Sequence, residues 1–362
     1  MKNSFTINYK SLNQIINQDD IIEFRNKYPS DDKMYMSKKT LKTLLIIDLS
    51  VYGISLLFLF IRDINKFIFQ DFILSVIPFS IVAIIFALGA SGIYRNQVIS
   101  WGKYIRLFLF AKDNNLQYIQ KLDNPGYPGM IFNLGERRAS IDLLKSTVQK
   151  PTFEISNYSY EIESRDSKGR RSSVTFSSGY IMIQLDRNLP HMVLDSVADN
   201  AKLFGKRRSD LQVSFEKDQK LSLEGDFDKY FTLYAPEEYK RDALYVFTPD
   251  LMALFIDESS PYDAEIIDNK LFIYSNYIFN IQDQATLDRL FKIIITVGSK
   301  TKSQTVHYSD ERVGNRAANI VEESGRRLKR NKLPVIVIIF IFMIFLIPLF
   351  VLMTFFFTNF FE

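Results

Sequence analysis

The chain of 362 residues contains no cysteine, two histidines and one tryptophan. Without cysteine, the sequence excludes a disulfide scaffold, a thiolate zinc site and a cysteine nucleophile. With only His191 and His307, it also excludes a histidine-rich metal cluster. The formal net charge is only +4. A nucleic-acid-binding domain is usually strongly basic, so we expect no nucleic-acid partner.

The sequence also lacks the motifs of common catalytic sites. It has no Gly-x-Ser-x-Gly, no phosphate-binding glycine loop and no His-Glu-x-x-His. We therefore predict no cofactor, no resident metal and no catalytic residue.

What the sequence does contain is three long apolar runs, at residues 43–61, 73–94 and 335–357. Each reaches the roughly 20 residues needed to cross about 30 Å of hydrocarbon. A core helix of this length would normally keep a polar face. The runs therefore predict three transmembrane helices, and the short link between the first two predicts an antiparallel hairpin.

Basic residues set the predicted orientation, because lysine and arginine resist translocation. They cluster before the first run, after the second and before the third: Lys33, Lys38, Lys39 and Lys42; Arg95, Lys103 and Arg106; Arg326, Arg327, Lys329, Arg330 and Lys332. The opposite ends carry only Arg62 and Lys66. The N-terminus and the main domain are therefore predicted in the cytoplasm, with the C-terminus outside the plasma membrane.

This pattern predicts five parts in order along the chain. They are a cytoplasmic N-terminal segment (1–42), a transmembrane hairpin (43–95), a soluble domain (96–298), a polar and basic stalk (299–332), and a last transmembrane helix with a short tail (333–362). Residues 98–112 are predicted to be helical and to continue the second membrane helix.

Short alternating segments in the soluble domain predict strands joined by tight turns. Residues 153–163 and 173–185 predict one hairpin. Residues 264–267 and 271–274 predict another, with its turn at residues 268–270. Residues 220–223 and 230–234 predict a third pair of strands, around a turn at Gly225.

Helices are predicted to start at Pro236 and at Thr248-Pro249-Asp250, where the Thr248 hydroxyl can cap the helix. Another is predicted from Ala285 to about Thr296. Strands mixed with short helices, without regular βαβ alternation, predict an α+β domain with an antiparallel sheet, attached to the three transmembrane α-helices.

Two features inside the apolar runs are candidates for function. An ionisable residue in a membrane helix is costly, so Asp48 either pairs with Arg95 and Tyr94 to clasp the hairpin or handles ions or protons. The small residues 89–92 either let the two helices of the hairpin pack closely or form a contact between copies in a homo-oligomer.

Outside the membrane runs, polar residues give few distinctive patterns. Asp226 and Asp228 have a spacing that can hold a divalent metal, but a solvated turn is the ordinary interpretation. His191 is interpreted as structural, because no activated nucleophile lies near it in sequence. Asp263, Glu265 and Asp268 are interpreted as the polar face of a hairpin. Residues 326–332, which include Arg326, Arg327, Lys329, Arg330 and Lys332, set topology and are expected to contact anionic lipid head groups.

Four stretches resemble a group of bacterial multi-pass membrane proteins of unknown function. They are Phe-Glu-Ile-Ser-Asn-Tyr (153–158), Leu-Pro-His-Met-Val-Leu-Asp (189–195), residues 221–236 around Glu-Gly-Asp-Phe-Asp, and residues 242–252 around Phe-Thr-Pro-Asp-Leu. The resemblance covers roughly residues 125–275. It implies a bacterial origin and a transmembrane hairpin followed by a soluble domain, and it implies no activity. Asp195, Glu224, Asp226 and Asp228 become candidates for a shared acidic surface.

Three hypotheses about function follow. The first is a non-enzymatic, membrane-tethered module that binds or organises a cytoplasmic or membrane-complex partner. The second is an enzyme acting on a lipid-linked or membrane-proximal substrate, with Asp226, Asp228 and His191 as participants. The third is an oligomeric channel or transporter subunit that uses Asp48.

Overall fold

The structure is a computed structural model that describes residues 6–28, 36–63, 69–148, 151–165, 171–197, 201–203, 206–208, 215–223, 225–315 and 317–330. It divides into two compact units. Unit 1 comprises residues 1–121, 142–149 and 280–288, and unit 2 comprises residues 122–141, 150–279 and 289–362. The third apolar run, residues 335–357, lies outside the described residues.

The described residues form α-helices and a mainly antiparallel sheet. The α-helices are α1 (Gln18–Lys27), α2 (Lys38–Asp63), α3 (Phe69–Asp113), α4 (Lys240–Val246), α5 (Pro249–Leu254), α6 (Gln284–Ile293), α7 (Ser299–Thr305) and α8 (Glu323–Arg326). The strands are β1 (Leu116–Asp123), β2 (Glu136–Ser146), β3 (Phe153–Arg165), β4 (Arg171–Ser196), β5 (Ala201–Leu203), β6 (Lys206–Arg208), β7 (Lys220–Leu221), β8 (Phe231–Tyr234) and β9 (Asp263–Ser275). The predicted α+β class is confirmed.

Unit 1 contains two helices that are long and apolar enough to cross a membrane, over Lys38–Ile61 and Val76–Asp113. Only 6% of the apolar window in each helix is buried among the described residues. A hydrogen bond of 2.7 Å joins the hydroxyls of Tyr52 and Ser80 across the pair. Helix α3 has 45 residues and continues from the apolar run through residue 113, as predicted.

The N-terminal segment folds along the second half of α3. Asn17 caps α1, because its side chain accepts from the backbone of Asp19 and Asp20. Ile21 and Phe24 of α1 then pack on Trp101 and Ile105 of α3 in one buried cluster. This packing places the N-terminal segment beside residues 95–113 of α3, beyond the apolar run 73–94.

Unit 2 is organised around strand β4, which has 26 residues. Strand β3 pairs with residues 171–183 of β4, β9 pairs with residues 179–194, and β8 pairs with residues 193–196, all antiparallel. Residues 179–183 of β4 pair with both β3 and β9, and residues 193 and 194 pair with both β8 and β9. Two strands that pair with the same residues lie on opposite edges of β4. Strand β9 therefore occupies one edge, and β3 and β8 share the other. The full order is β1-β2-β3-β4-β8-β7, with β9 paired to β4.

The β3–β4 hairpin and the β7–β8 pair confirm two sequence predictions. The predicted hairpin at residues 264–274 is wrong. These residues form the single strand β9, which follows a bulged section of β4 between Gln184 and Met192. Asp268 has a φ of 52° at the corresponding irregularity. Aspartate, asparagine and lysine at residues 268–270 are typical of a turn. Here β4 pairs with β9 both before and after Asp268, so the chain continues as one strand. The positive φ of Asp268 accommodates the irregularity in the pairing.

The predicted stalk is also wrong where the structure describes it. After α6, a π-helical turn (Ile294–Gly298) and α7 continue the chain, with Thr301 and Thr305 fully buried. Residues 321–330, which we call the strap, lie against the sheet, where Leu328 packs with Val193 and Phe215. The polar sequence of this region reflects bonds to the rest of unit 2 rather than a solvated linker.

An aromatic core fills one side of unit 2. Its centre is Phe132, whose ring lies 4.7 Å from Tyr158, 5.1 Å from Tyr180 and 5.4 Å from Phe272, measured between centroids. The Thr248 hydroxyl, predicted to cap α5, makes no hydrogen bond within the described residues and is buried. Pro249 at the first turn of α5 sets the helix start instead.

We predict that Ile21→Asp releases α1 from α3, because it places a charge in a fully buried position. Trp101 is the single tryptophan of the chain and is 4% exposed, so its fluorescence emission should shift to the red. The control is Ile22→Asp, on a residue that is 39% exposed, which should leave the emission unchanged. Equal shifts in the two variants would contradict this packing.

Candidate functional site: the docking site of the strap

A buried carboxylate, Glu265 of β9, connects three parts of unit 2. Its Oε2 accepts from the Tyr274 hydroxyl at 2.6 Å and from the backbone N–H of Met130 at 2.7 Å. Its Oε1 lies 2.8 Å from Nε2 of His191 on β4. Glu265 is 1% exposed, and His191 and Tyr274 are 4% exposed. We call this set the Glu265 network.

The backbone of the strap sets the tautomer of His191. Nδ1 of the ring accepts from the backbone N–H of Leu328 at 2.9 Å, so Nδ1 carries no proton. The proton of the neutral ring therefore sits on Nε2 and is donated to Glu265. Both ring nitrogens are engaged within the protein, and His191 acts as a bridge between the carboxylate and the strap.

The phenols around this core are held in their protonated form. Burial, followed by the charge of Glu265 and the hydrogen bond to it, raises the pKa of Tyr274 well above its usual value. Burial also raises the pKa of Tyr127, which donates to Glu154. Protonated phenols serve as permanent donors, so the two buried carboxylates are stabilised by hydrogen bonds.

A second group, the Arg312 clasp, holds the start of the strap. The Arg312 guanidinium lies 3.9 Å from the centroid of the Tyr239 ring and donates to Asp242 at 3.0 Å and to Asp310 at 3.2 Å. The Tyr239 hydroxyl donates to Asp310 at 2.6 Å, and Tyr308 donates to Asp242 at 2.8 Å. The planar guanidinium matches this combination of a stacked ring and two carboxylates.

Asp310 links the clasp to the strap. Its Oδ2 accepts from the backbone N–H of Glu322 at 2.9 Å. Burial alone would raise the pKa of Asp310, but hydrogen bonds from Glu322, Tyr239 and Arg312 outweigh burial and hold that pKa below its usual value of 3.8.

Further contacts follow along the strap. A Cβ added to Gly325 would lie 2.4 Å from Cζ of Tyr239, so only glycine fits against that ring. Arg327 pairs with Asp268 at 2.8 Å. Gln219 holds Lys329 by both of its backbone groups, donating to the carbonyl and accepting from the N–H at 2.8 Å each. The strap is therefore bound from residue 322 to residue 329.

A polar cleft of about 510 Å³ opens beside the clasp. Its lining residues are Arg241, Asp242, Tyr245, His307, Tyr308, Ser309, Glu311 and Arg312. Asp242 and Arg312 are paired with each other at its wall, while Arg241, Tyr245 and His307 are exposed. The cleft presents mixed charge and an aromatic ring to solvent.

Sequence reasoning missed Glu265, because it assigned Asp263 and Glu265 to a polar hairpin face. Both are buried, at 4% and 1% exposure. Between Tyr262 and Asp268 only Ala264, Ile266 and Ile267 are apolar, so the sequence around them carries no clear signal of burial. His191 is buried, and both of its ring nitrogens are bonded within unit 2.

The predicted clasp between Asp48 and Arg95 does not form. Within the described residues neither has a hydrogen-bond or ion-pair partner, and Tyr94 donates to Gln18 at 3.1 Å. The Tyr52–Ser80 bond sets the register of α2 against α3 and places Asp48 near the level of residue 84. Arg95 is about 11 residues, or about 16 Å, further along α3.

The predicted acidic surface is not assembled in the described residues. Asp195 is 2% exposed within β4, so it is not a surface residue. Asp226 pairs with Lys229 at 2.7 Å, while Asp228 accepts from the Leu223 backbone at 3.2 Å and from Ser222. The two aspartates therefore bond to different groups. Glu224 lies outside the described residues.

The predicted lipid-contact residues Arg326, Arg327, Lys329 and Arg330 are exposed on the strap, and Lys332 lies outside the described residues. In the small-residue patch, a Cβ added to Gly89 or Gly92 would meet nothing within 4 Å. Those glycines do not bring α2 and α3 together, and the contact between copies stays a prediction.

Comparisons with known proteins identify no family. No family model matches the chain, and no curated protein matches it. Among solved structures, the chain matches the crystal structure of the mycobacterial trehalose monomycolate transport factor A, TtfA, with 10% sequence identity and a TM-score of 0.35 over 55% of this chain and 92% of that one. Similarity at this level defines neither a common fold nor a shared function. The predicted resemblance to bacterial membrane proteins stays a prediction.

We predict that Glu265→Ala strongly destabilises the protein, because three buried donors lose their acceptor. At about 1–3 kcal/mol for each unsatisfied group, the free energy of unfolding should fall by at least about 3 kcal/mol. The measurement is thermal unfolding of the full chain in detergent, followed by circular dichroism.

The matched control for this variant is Glu161→Ala, which removes a partner of the exposed Arg137. A surface ion pair contributes about 1 kcal/mol or less, so the melting temperature should change little. If Glu265→Ala and Glu161→Ala lower the melting temperature equally, the Glu265 network does not stabilise the protein as predicted.

Asp310 should make the stability of the clasp depend on pH. Because its pKa in the folded protein lies below 3.8, its contribution is complete above that value and is lost as the pH falls through the folded pKa. Asp310→Asn should therefore weaken the decline of melting temperature below about pH 4. Asp250→Asn, at a residue with a 79% exposed side chain, should keep the parent profile. An unchanged acid decline in Asp310→Asn would refute the assignment.

Proposed function

We propose that the chain is an integral membrane protein that carries a non-enzymatic α+β binding module on the cytoplasmic side. In this proposal α2, α3 and residues 335–357 cross the plasma membrane. The module is held at both ends and binds or organises a partner close to the bilayer.

The observation that carries the proposal is the continuity of α3. One helix includes the exposed apolar run and then residues 95–113, on which α1 packs. Because a helix rises about 1.5 Å per residue, its 45 residues extend about 67 Å, well beyond the hydrocarbon layer. The half beyond the bilayer supports the N-terminal segment by direct packing.

The strap supports anchoring at the other end. Arg330 pairs with Phe215 in a β-bridge, and the third apolar run begins five residues later in the sequence. Because the strap is bonded to unit 2 as far as Lys329, only a short stretch of chain separates it from that run. The module is then held close to the membrane.

Charge supports the cytoplasmic side. Lys38, Lys39 and Lys42 are exposed at the start of α2, and Arg95 is exposed on α3. They lie at the end of the helical hairpin where the N-terminal segment packs. The positive-inside rule assigns that end to the cytoplasm.

The site geometry favours binding over chemistry. His191 and Glu265, the best acid–base candidates in unit 2, are buried and bonded to each other and to the strap. Asp226 and Asp228 have separate partners. The exposed polar cleft, with Arg241, Tyr245 and His307, is where we expect a partner to bind.

The chain without native cysteine allows a direct test of location. We expect Asn65→Cys, in the link between the two apolar helices, to react with a membrane-impermeant maleimide in intact cells. Ser173→Cys, on β4, and Tyr245→Cys, in the cleft, should react only after lysis. A photo-crosslinker attached at Tyr245→Cys should then capture a second protein, and the same crosslinker at Ser173→Cys is the matched control.

Labelling of Ser173→Cys in intact cells would show that the domain lies outside the cell, and would overturn the proposal of a cytoplasmic module. Adducts that contain only this chain, or that are equal at the two positions, would overturn the assignment of the cleft to a partner. Solubility of the chain in alkaline carbonate would overturn the membrane anchoring itself.

A further inference from the structure

The backbone of the strap is bonded directly to a titratable side chain. The N–H of Leu328 donates to Nδ1 of His191 at 2.9 Å, and the other ring nitrogen, Nε2, lies 2.8 Å from Oε1 of Glu265. Histidine is the side chain whose ordinary titration falls between about pH 5 and about pH 8. The bond that docks Leu328 therefore uses an atom that a change of pH can alter.

Protonation converts this acceptor into a donor. Nδ1 accepts a hydrogen bond from Leu328, so the neutral ring carries its proton on Nε2. In the imidazolium form both nitrogens carry a proton and neither accepts a hydrogen bond. The new N–H at Nδ1 would then face the N–H of Leu328, and two donors do not bond. A second proton on His191 and the hydrogen bond from Leu328 therefore exclude each other.

The contact between ring and strap is buried. His191 is 4% exposed and Leu328 is 5% exposed. The Leu328 side chain packs with Val193 and Phe215, and the Phe215 ring lies edge-on to the imidazole, with 6.2 Å between the centroids. A buried N–H that loses its acceptor is costly. Two facing donors in this place therefore favour separation of the strap from the ring.

The charged groups on the sheet side act on the ring whether or not the strap is docked. Glu265 contacts Nε2, and the Tyr274 phenol donates to the same carboxyl group. The neighbouring charged residues are Asp263 and Asp268 on β9, Arg187 and Asp195 on β4, and Glu216 and Lys217 beside Phe215. The groups on the sheet remain in place when the strap leaves. They favour or oppose a protonated ring in both states and do not select between them.

The charge of the strap does select between the two states. Residues 322–330 carry four basic and two acidic side chains, so the strap is net positive. A docked strap therefore opposes a positive charge on His191, and a released strap does not. Repulsion between charges and the loss of the Leu328 hydrogen bond act in the same direction.

We propose that His191 couples docking of the strap to pH, with the strap docked when the ring is neutral and docking weakened when the ring gains a proton. By linkage, docking is complete at higher pH and is lost as the pH falls through the titration of His191. The loss of one buried hydrogen bond should change the docking equilibrium about tenfold.

Release of the strap would lengthen the connection to the third apolar run. Residues 321–330 would add up to about 36 Å of extended chain, at about 3.6 Å per residue. The module would be held close to the bilayer at higher pH and free to move away from it at lower pH. This consequence rests on the proposed membrane anchoring, whereas docking of the strap on the sheet does not.

The test measures hydrogen exchange at the Leu328 amide in the full chain in detergent. The protection factor, which corrects for the direct effect of pH on exchange, is compared between about pH 8 and about pH 5. We expect it to fall about tenfold toward the lower pH. NMR of the isotope-labelled ring should show His191 gaining its second proton over the same range. Asp310, which also holds the strap, has a pKa below 3.8 and stays ionised throughout.

The two histidines of the chain supply a variant and its matched control. His191→Gln removes the titrating ring and should make the protection of Leu328 independent of pH. His307→Gln removes the other histidine, which is exposed, and should keep the pH dependence of the parent chain.

Constant protection of Leu328 while the His191 ring titrates would overturn the proposal, as would a ring that does not titrate over this range. A pH dependence that persists in His191→Gln would also overturn it. If that variant does not fold, the parent chain decides, because exchange at Leu328 and titration of His191 must share one midpoint. Extraction of the chain from membranes by alkaline carbonate would overturn the anchoring and leave this result unaffected.

Discussion

The structure of unit 2 depends on the hydrogen bonds of one buried carboxyl group, that of Glu265. The hydrogen bonds to Glu265 come from a phenol, a backbone N–H and an imidazole. A buried carboxylate is tolerated only when its oxygens are hydrogen-bonded. The loop at Met130, strand β4 and strand β9 must therefore hold their positions together, and His191 extends the same requirement to the strap.

This arrangement connects the interior of the sheet to the segment that leads to the last apolar run. The strap binds through its backbone at Glu322, Leu328 and Lys329. Backbone contacts fix where the strap lies without restricting its side chains. Arg326, Lys329 and Arg330 can then remain exposed and basic while the same segment closes the core with Leu328.

Sequence reasoning failed where a polar residue has its partner far away along the chain. Asp268 looked like a turn residue, but β4 supplies a pairing partner on both sides of it, so β9 continues as one strand through the irregularity. The stalk looked solvated because its bonds to Tyr239, Gln219 and His191 join residues separated by about 70 or more positions. Asp48 and Arg95 were expected at the same depth along the hairpin. The register of two helices depends on how they pack, and composition does not report that packing.

The sequence by itself determined the apolar helices, the continuation of α3, the α+β class and the β3–β4 hairpin. Each of these follows from local periodicity, helix length or turn chemistry, which neighbouring residues set. Only the tertiary structure decided that Glu265 is buried, that Asp195 is not a surface acid and that residues 321–330 dock. Those outcomes depend on which distant donors reach a given oxygen, and a linear pattern of residue types does not contain that information.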